Sequence, residues 1–156
     1  MLIFEVICFV KLQKLGKSYP WKKPPHCPHC KGRIWGHGYV MRYFDGYSQA
    51  FFLKRYFSPD CGRVFCLRPK SHWPRFQASR DFVYNFIKTQ CKESQIKPIN
   101  SRNKNWLKYS KQWILSHFGF LNSPEEYLLN FKKLIKEKWV PISRNLSTTL
   151  RSHCIL

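Results

Sequence analysis

Apolar residues recur with two different periods along the chain, and the change falls near residue 78. Before it, residues 34–44 and 47–57 are rich in β-branched and aromatic residues, and Asp45-Gly46 between them is a hairpin signal. A third short strand at residues 64–67 would complete a three-stranded sheet. After residue 78, apolar residues recur every three or four positions, which predicts helices. The pattern therefore predicts an α+β fold.

Three helices are predicted in the second part of the chain, each from an apolar stripe behind a capping residue. The predicted N-caps are Ser79, Ser101 and Ser123. Pro124 and Glu126 follow Ser123 at positions where proline and glutamate are typical of a helix start. Gly119 is predicted to end the second helix and Pro141 the third.

The chain begins with an apolar run at residues 2–10 that is too short to span a bilayer and contains Glu5. We interpret it as a strand or a short buried segment and expect no membrane anchor. In a chain without a signal peptide, clustered cysteines favour a metal site over a disulfide framework. The protein is expected to be cytoplasmic and reduced.

Net charge is the most unusual bulk property of the chain. Its 28 Lys and Arg face 8 Asp and Glu, which gives a formal charge of +20, while 44% apolar residues indicate a globular protein. A polyanion would relieve the self-repulsion of such a charge. The cations are scattered among aromatic residues instead of lining one amphipathic face, so nucleic acid is favoured over a membrane surface.

Two cysteines separated by two residues form half of a candidate zinc site. Cys27 and Cys30 can bind one tetrahedral ion from a tight turn. A second half should follow the hairpin, and Cys61 before Gly62 lies there, where glycine suits a left-handed turn. Ser58 stands where the first cysteine of that half would be.

The fourth ligand of this site is an open question at the level of sequence. A neutral serine hydroxyl is a poor zinc ligand, and Cys66 is the nearest remaining thiol, so Cys66 is predicted as the fourth ligand of one Zn²⁺. Three histidines are alternatives, because Cys₃His is an accepted set: His26, His29 and His37. A decayed site with free thiols is the remaining interpretation.

Residues 55–65, RYFSPDCGRVF, resemble the closing half of the zinc ribbon near the N-terminus of many bacterial insertion-sequence transposases. In that family a basic-aromatic pair precedes Cys-x-x-Cys-Gly-Arg and a hydrophobic strand. The first half is matched by residues 27–30 and 36–39, and the resemblance covers roughly residues 24–76. It departs from the family at Ser58.

The resemblance implies a zinc ribbon followed by helix-turn-helix elements that recognise transposon ends. We accordingly divide the chain into an N-terminal segment (1–23), a zinc ribbon (24–78) and a helical DNA-binding region (79–156). The family's catalytic domain, with its three metal-binding carboxylates, is not matched. Duplex DNA is the expected partner, with nucleoid association, and a separate transposase or integrase subunit would supply catalysis.

The few acidic residues also argue against an enzyme. Four of the 8 are explained by a turn, the knuckle or a helix start, which leaves too few for a two-metal carboxylate site. No spacing singles out a Cys-His nucleophile, and no phosphate-binding Gly-rich loop is present in the sequence. We therefore expect a binding protein and not an enzyme.

Candidate nucleic-acid contacts fall into two groups. Arginine can pair with phosphates or read guanine edges, exposed aromatic residues could stack on unpaired bases, and the first turn of a recognition helix usually meets base edges. The ribbon group is Arg33, Arg42, Lys54, Arg55, Arg63, Arg68 and Arg75. The helical group is Arg102, Asn103, Lys104 and Lys108.

Each group has a simpler interpretation as well. The ribbon aromatics could serve hairpin packing, and the helical cations could form a solvated face. Two alternative functions follow from the same sequence: a ribosome- or RNA-associated zinc ribbon, and a decayed transposase fragment.

Overall fold

The computed structural model of the protein describes residues 2–92, 100–119, 123–137, 139–144 and 154–155. The chain forms two compact units, one comprising Met1–Arg80 with His153–Leu156 and the other Asp81–Ser152. The division falls close to residue 78, where the hydrophobic period changes. Among the described residues, no helix is both long and apolar enough to cross a membrane.

The first unit is built on one sheet. Its elements are β1 (Leu2–Glu5), α1 (Phe9–Leu15), a 3₁₀ turn (Gly16–Ser18), β2 (Trp35–Arg42), β3 (Phe51–Ser58), β4 (Arg63–Pro69) and the two-residue β5 (Cys154–Ile155). The strand order is β2-β3-β4-β1-β5.

The predicted antiparallel arrangement of β2, β3 and β4 is confirmed, but the sheet is wider than predicted. β1 pairs in parallel with both β4 and β5, so residues 1–23 are not a segment separate from the ribbon. A parallel neighbour that lies some sixty residues away leaves no local signal in the sequence.

The antiparallel register sorts the strand residues onto two faces of the sheet. Tyr56 pairs with Phe65 and Arg55 pairs with Cys66, and side chains alternate between faces along each strand. The Tyr56 face carries a buried cluster of Cys27, Ile34, Tyr56, Phe65 and Leu67. The Leu53 face carries another, in which Leu12 of α1 packs with Phe44, Phe51 and Leu53. The sheet therefore separates two small cores.

The β2–β3 connection is longer than the two-residue turn that Asp45-Gly46 suggested. It spans residues 43–50, with Gly46 in the left-handed region at φ +87°. Phe44 in this loop is fully buried and contacts the rings of Phe9 and Phe51. A tight turn would leave this ring outside the core, so burial of Phe44 favours the longer loop.

The second unit contains three helices near the predicted positions: α2 (Arg80–Lys92), α3 (Ser101–Phe118) and α4 (Pro124–Lys136). Ser123 caps α4 as predicted, since its side chain accepts a hydrogen bond from the Glu126 N–H at 3.1 Å. α3 is capped by Asn100 and not by Ser101: the Asn100 side chain accepts from the Asn103 N–H at 2.9 Å. Both residue types suit an N-cap, so sequence alone left the boundary open by one position.

The C-terminal ends of the helices differ in how well they were predicted. Gly119 ends α3, with φ +78°, as expected. α4 ends at Lys136, before Pro141, and Trp139 lies beyond the helix. The Trp139 ring packs at 5.0 Å from that of Trp113 and at 5.2 Å from that of His117. Trp139 thus continues the core without continuing the helix.

His72 lies buried in the first unit, against the rings of Phe44 at 4.6 Å and Phe9 at 5.4 Å. Burial, followed by the nearby Arg68 cation, lowers the pKa of His72 to about 4. The imidazole is therefore neutral in the folded protein throughout the physiological range.

Acidification is expected to destabilise the first unit through His72. Once unfolded, His72 takes up a proton below about pH 6.5, whereas the folded imidazole stays neutral down to about pH 4. The contribution of neutral His72 to the free energy of unfolding is thus fully present above about pH 6.5. It is lost as the pH falls toward 4. Thermal unfolding across this range should show a smaller loss in His72→Gln. The exposed-histidine variant His37→Gln should keep the wild-type pH dependence, and identical profiles for all three proteins would refute the assignment.

Candidate metal centre

The first knuckle is a tight turn that carries Cys27 and Cys30. The Lys31 N–H donates to the Cys27 carbonyl at 2.9 Å, and the Cys27 N–H donates to the Gly32 carbonyl at 2.9 Å. Lys31 adopts a left-handed conformation at φ +61°. The His29 N–H lies 3.4 Å from the Cys27 sulfur and donates to it. This is the arrangement of amides around a thiolate expected for the predicted knuckle.

The second knuckle forms between β3 and β4. Ser58 is the last residue of β3, Cys61 lies in the following turn, and Gly62 has φ +67°, the left-handed conformation predicted for it. Ser58 is fully buried. The pairing of Ser58 with Arg63 closes this turn and fixes both side chains at the end of the hairpin.

Asp60 ties the two knuckles together. Its carboxylate accepts a hydrogen bond from the Arg33 N–H at 2.8 Å. A Cβ at Gly32 would lie only 1.9 Å from the same Asp60 oxygen, so this close approach requires glycine. From the sequence, Asp60 was explained only by the turn that contains it. The structure shows that its carboxylate also accepts a hydrogen bond from the opposite turn.

The three thiols of the two knuckles come together as predicted. The sulfur atoms of Cys27, Cys30 and Cys61 lie within 4.8 Å of one another, and those of Cys27 and Cys61 are 3.7 Å apart. Two sulfurs bound to one zinc at about 2.3 Å in tetrahedral geometry are about 3.8 Å apart. The three cysteines could therefore bind a metal ion such as zinc.

Ser58 contributes a fourth polar atom to this cluster. Its hydroxyl oxygen lies 3.3 Å from the Cys30 sulfur. Oxygen and sulfur ligands of one tetrahedral zinc would be about 3.5 Å apart. The residue type had argued against Ser58 as a ligand, but the structure places its hydroxyl beside the cysteine cluster.

The electrostatic environment favours one thiolate in the cluster. Burial works against ionisation of Cys27, but the N–H groups of Cys30 and His29, with the side chains of Ser58 and Cys30, outweigh it and lower the pKa of Cys27 to about 6. The Ser58 hydroxyl also favours a thiolate at Cys30. There, burial and the neighbouring Cys61 and Cys27 thiols prevail and raise the pKa of Cys30. The cluster thus has its first negative charge at Cys27.

Cys66 does not belong to the cluster, which corrects the prediction of Cys66 as fourth ligand. It lies on the Leu53 face of the sheet, whereas its neighbours Phe65 and Leu67 lie on the Tyr56 face. Its thiol donates to the Leu67 carbonyl at 3.3 Å. Burial raises the pKa of the Cys66 thiol, although nearby arginines oppose this. Because side chains alternate along β4, Cys66 faces away from the side of the sheet on which Phe65 and Leu67 pack with Cys27.

The alternative histidine ligands do not join the cluster either. All three are exposed: His26, His29 and His37. His29 acts through its backbone N–H, and the His37 ring lies 5.8 Å from that of Phe57. Among the described residues, therefore, the additional atom beside the three thiols is the Ser58 hydroxyl.

Most of the predicted nucleic-acid contacts are exposed cations, and four depart from that description. The exposed ones are Arg33, Arg42, Arg63, Arg75, Arg102, Lys104 and Lys108, whereas Lys54 and Arg55 are half-buried. Lys54 lies over the Tyr39 ring at 4.4 Å from its centroid. Arg68 is only 7% exposed. The Asn103 side-chain oxygen is buried without a hydrogen-bond partner, so this atom does not face solvent.

Comparisons with protein-family models, with curated proteins and with solved structures found no match.

Removing a knuckle thiol is expected to abolish metal retention. Cys61→Ala should lose more than about 100-fold in zinc affinity, because even outer-shell changes cost about 10–100-fold. Cys66→Ser is the matched control, since Cys66 lies on the other face of the sheet. Competition with a chelator of known affinity measures both. Loss of zinc by Cys66→Ser, or full retention by Cys61→Ala, would contradict the three-thiol cluster.

Proposed function

We propose that this protein is a zinc-ribbon DNA-binding protein that resembles the DNA-recognition part of an insertion-sequence transposase. The observation that carries the proposal is the Cys27–Cys30–Cys61 cluster between two knuckles. A metal at this point would cross-link the two turns, and structural zinc sites contribute folding free energy in this way. The proposed role is recognition and requires no catalytic group.

Zinc is the proposed metal, with the three thiols and Ser58 as its ligands. Soft thiolates in a tetrahedral arrangement suit zinc among the common divalent ions. Support for Ser58 comes from its complete burial and from its position 3.3 Å from the Cys30 sulfur. A neutral oxygen in place of a fourth thiolate gives a less negative site, which should hold zinc more weakly than four cysteines would.

DNA is the proposed ligand because exposed cations surround both structured units. Arg33 directly follows the first knuckle, and Arg63 follows the second; both are exposed. On α3, Lys104, Lys108 and Lys111 are exposed at intervals of four and three residues, which places them on one helix face. α3 contains no acidic residue, so this basic face has no internal counter-charge.

The opposite face of α3 explains why the basic face stays outside. Trp106, Ser110, Trp113 and Ile114 are buried there. Burial of these apolar side chains fixes the rotation of the helix about its axis. The Arg102 guanidinium lies 5.3 Å from the centroid of the Trp106 ring, one helical turn before it and on the same side of α3. This arrangement supports α3 as the recognition element of the helical unit.

Duplex affinity is expected to fall steeply with salt, with a slope of about −0.9 per neutralised phosphate. Lys104→Gln/Lys108→Gln should therefore flatten the slope of log K against log salt by about 1.8 units. Fluorescence anisotropy between about 50 mM and 200 mM salt measures the slope.

The double variant Lys14→Gln/Lys136→Gln is the matched control, because it removes the same charge from exposed positions on α1 and α4. Its slope should differ from the wild-type slope by less than the contribution of one phosphate, about 0.9. A flat salt response of the wild-type protein would overturn the DNA proposal. Equal slopes for the two double variants would overturn the assignment to α3.

Replacing Ser58 with cysteine is expected to strengthen metal binding. Ser58→Cys should raise zinc affinity by more than about tenfold, since it adds a thiolate at a ligand position. Ser58→Ala should lower the affinity and shift the visible spectrum of the Co²⁺-substituted protein, because it removes an oxygen ligand. If Ser58→Ala leaves both the spectrum and the affinity unchanged, Ser58 is not a ligand.

A further inference from the structure

A row of partly exposed apolar side chains crosses the Leu53 face of the sheet at its metal end. Trp35 pairs with Phe57, and Phe57 pairs with Val64, so these three side chains lie side by side on β2, β3 and β4. Trp35 is 55% exposed and Val64 37%, while Phe57 is half-buried. We call the two rings of this row, Trp35 and Phe57, the aromatic row. Neighbouring exposed apolar side chains of this kind, unlike single ones, are typical of a binding surface.

Three arginines lie on the same face of the sheet. Arg55 is two residues from Phe57 on β3, Arg68 is four residues from Val64 on β4, and Arg42 ends β2. Each acts electrostatically on Cys66, which is paired with Arg55, and opposes the rise that burial imposes on the pKa of the Cys66 thiol. We call Arg42, Arg55 and Arg68 the arginine cluster.

Two members of the arginine cluster carry an unpaired buried nitrogen. The Nε atoms of Arg55 and Arg68 are buried without hydrogen-bond partners. Burial lowers the pKa of the Arg68 guanidinium; the nearby Cys66 opposes this, and the neighbouring Arg42 adds to it. The Phe44 ring, 6.0 Å from Arg68, offsets only part of this cost. A buried cation beside two like charges is unfavourable unless an anion binds it.

The surroundings of Arg68 supply little negative charge. His72, which lies near it, is neutral because burial lowers its pKa to about 4, and Arg80 adds another cation nearby. Asp45 acts on His72 from the loop between β2 and β3. Glu5 is paired with Pro69 on β4 and so belongs to the Tyr56 face. Around Arg68 and His72, arginines therefore outnumber acidic residues among those that act on them, which favours an external anion.

We propose that the Leu53 face binds an unpaired stretch of nucleic acid, with its bases stacked on the aromatic row and its phosphates at the arginine cluster. This inference rests on the proposed nucleic-acid function and specifies the form of nucleic acid that the ribbon takes. Alternate residues of one strand lie about 6.7 Å apart, so Phe57 and Arg55 fall within reach of a single nucleotide. An isolated phosphate would leave the aromatic row unused, and a duplex would hide its base faces.

The test compares single-stranded and duplex DNA on the full, zinc-loaded chain. Labelled oligo(dT) of roughly 12 nucleotides and a duplex of equal length are titrated by fluorescence anisotropy at fixed salt. Trp35→Ala should weaken single-strand binding by about 5- to 150-fold, the range found for loss of one stacked base. Duplex affinity should change less than about twofold. Trp35→Phe, which keeps a stacking ring, should recover most of the loss.

Met41→Ala is the matched control, because Met41 is 58% exposed on the same strand but faces the other side of the sheet. It should bind oligo(dT) as the wild type does. Arg68→Met should lose about tenfold in oligo(dT) affinity while its thermal unfolding temperature stays equal or rises, since it removes an unpaired buried charge. If Arg68 were purely structural, Arg68→Met would keep its oligo(dT) affinity and unfold at a lower temperature.

The outcomes separate this inference from the proposed function. If the duplex binds with a steep salt dependence while oligo(dT) does not bind, or binds equally to wild type and Trp35→Ala, the inference fails and the DNA proposal stands. If neither form binds, both fail. If Arg68→Met unfolds at a lower temperature and keeps its oligo(dT) affinity, the arginine cluster has no part in binding.

Discussion

The antiparallel register of β3 and β4 is the constraint on which the rest of the first unit depends. Pairing Ser58 with Arg63 closes the turn that presents Cys61, and pairing Tyr56 with Phe65 aligns the apolar side chains that pack against Cys27. The same register places Arg55 and Cys66 on the other face. A shift by one residue would exchange the two faces and remove the metal cluster from the core that supports it.

Charge imbalance is the second constraint. With 28 basic and 8 acidic residues, the chain has few carboxylates available to fix its geometry. One of them, Asp60, bridges the two knuckles by accepting the Arg33 N–H bond, and this position needs the bare backbone of Gly32. Arg68, in contrast, is buried with its Nε unpaired. The folded protein thus retains positive potential inside as well as outside, which suits an anionic partner.

Local patterns predicted much of the fold. Three features depend on neighbours within a few residues and were predicted from the sequence: the three antiparallel strands, the Ser123 cap and the end of α3 at Gly119. The sequence did not predict three features: the parallel strand β1, the end of α4 before Trp139, and Asn100 in place of Ser101 as the cap of α3. These features depend on which apolar side chains find room in a core, and propensity does not measure that.

By itself, the sequence determined the ligand chemistry of the site. Cys27 and Cys30 are held by one turn, and Gly62 marks the turn that presents Cys61, so their spacing already specified two knuckles. Only the tertiary structure decided between Cys66 and Ser58 beside the three thiols. Ser58 ends its strand facing the cluster, whereas Cys66 lies on the far side of the sheet. Distance along the chain makes the thiol a plausible ligand, but strand alternation decides which side chain reaches the site.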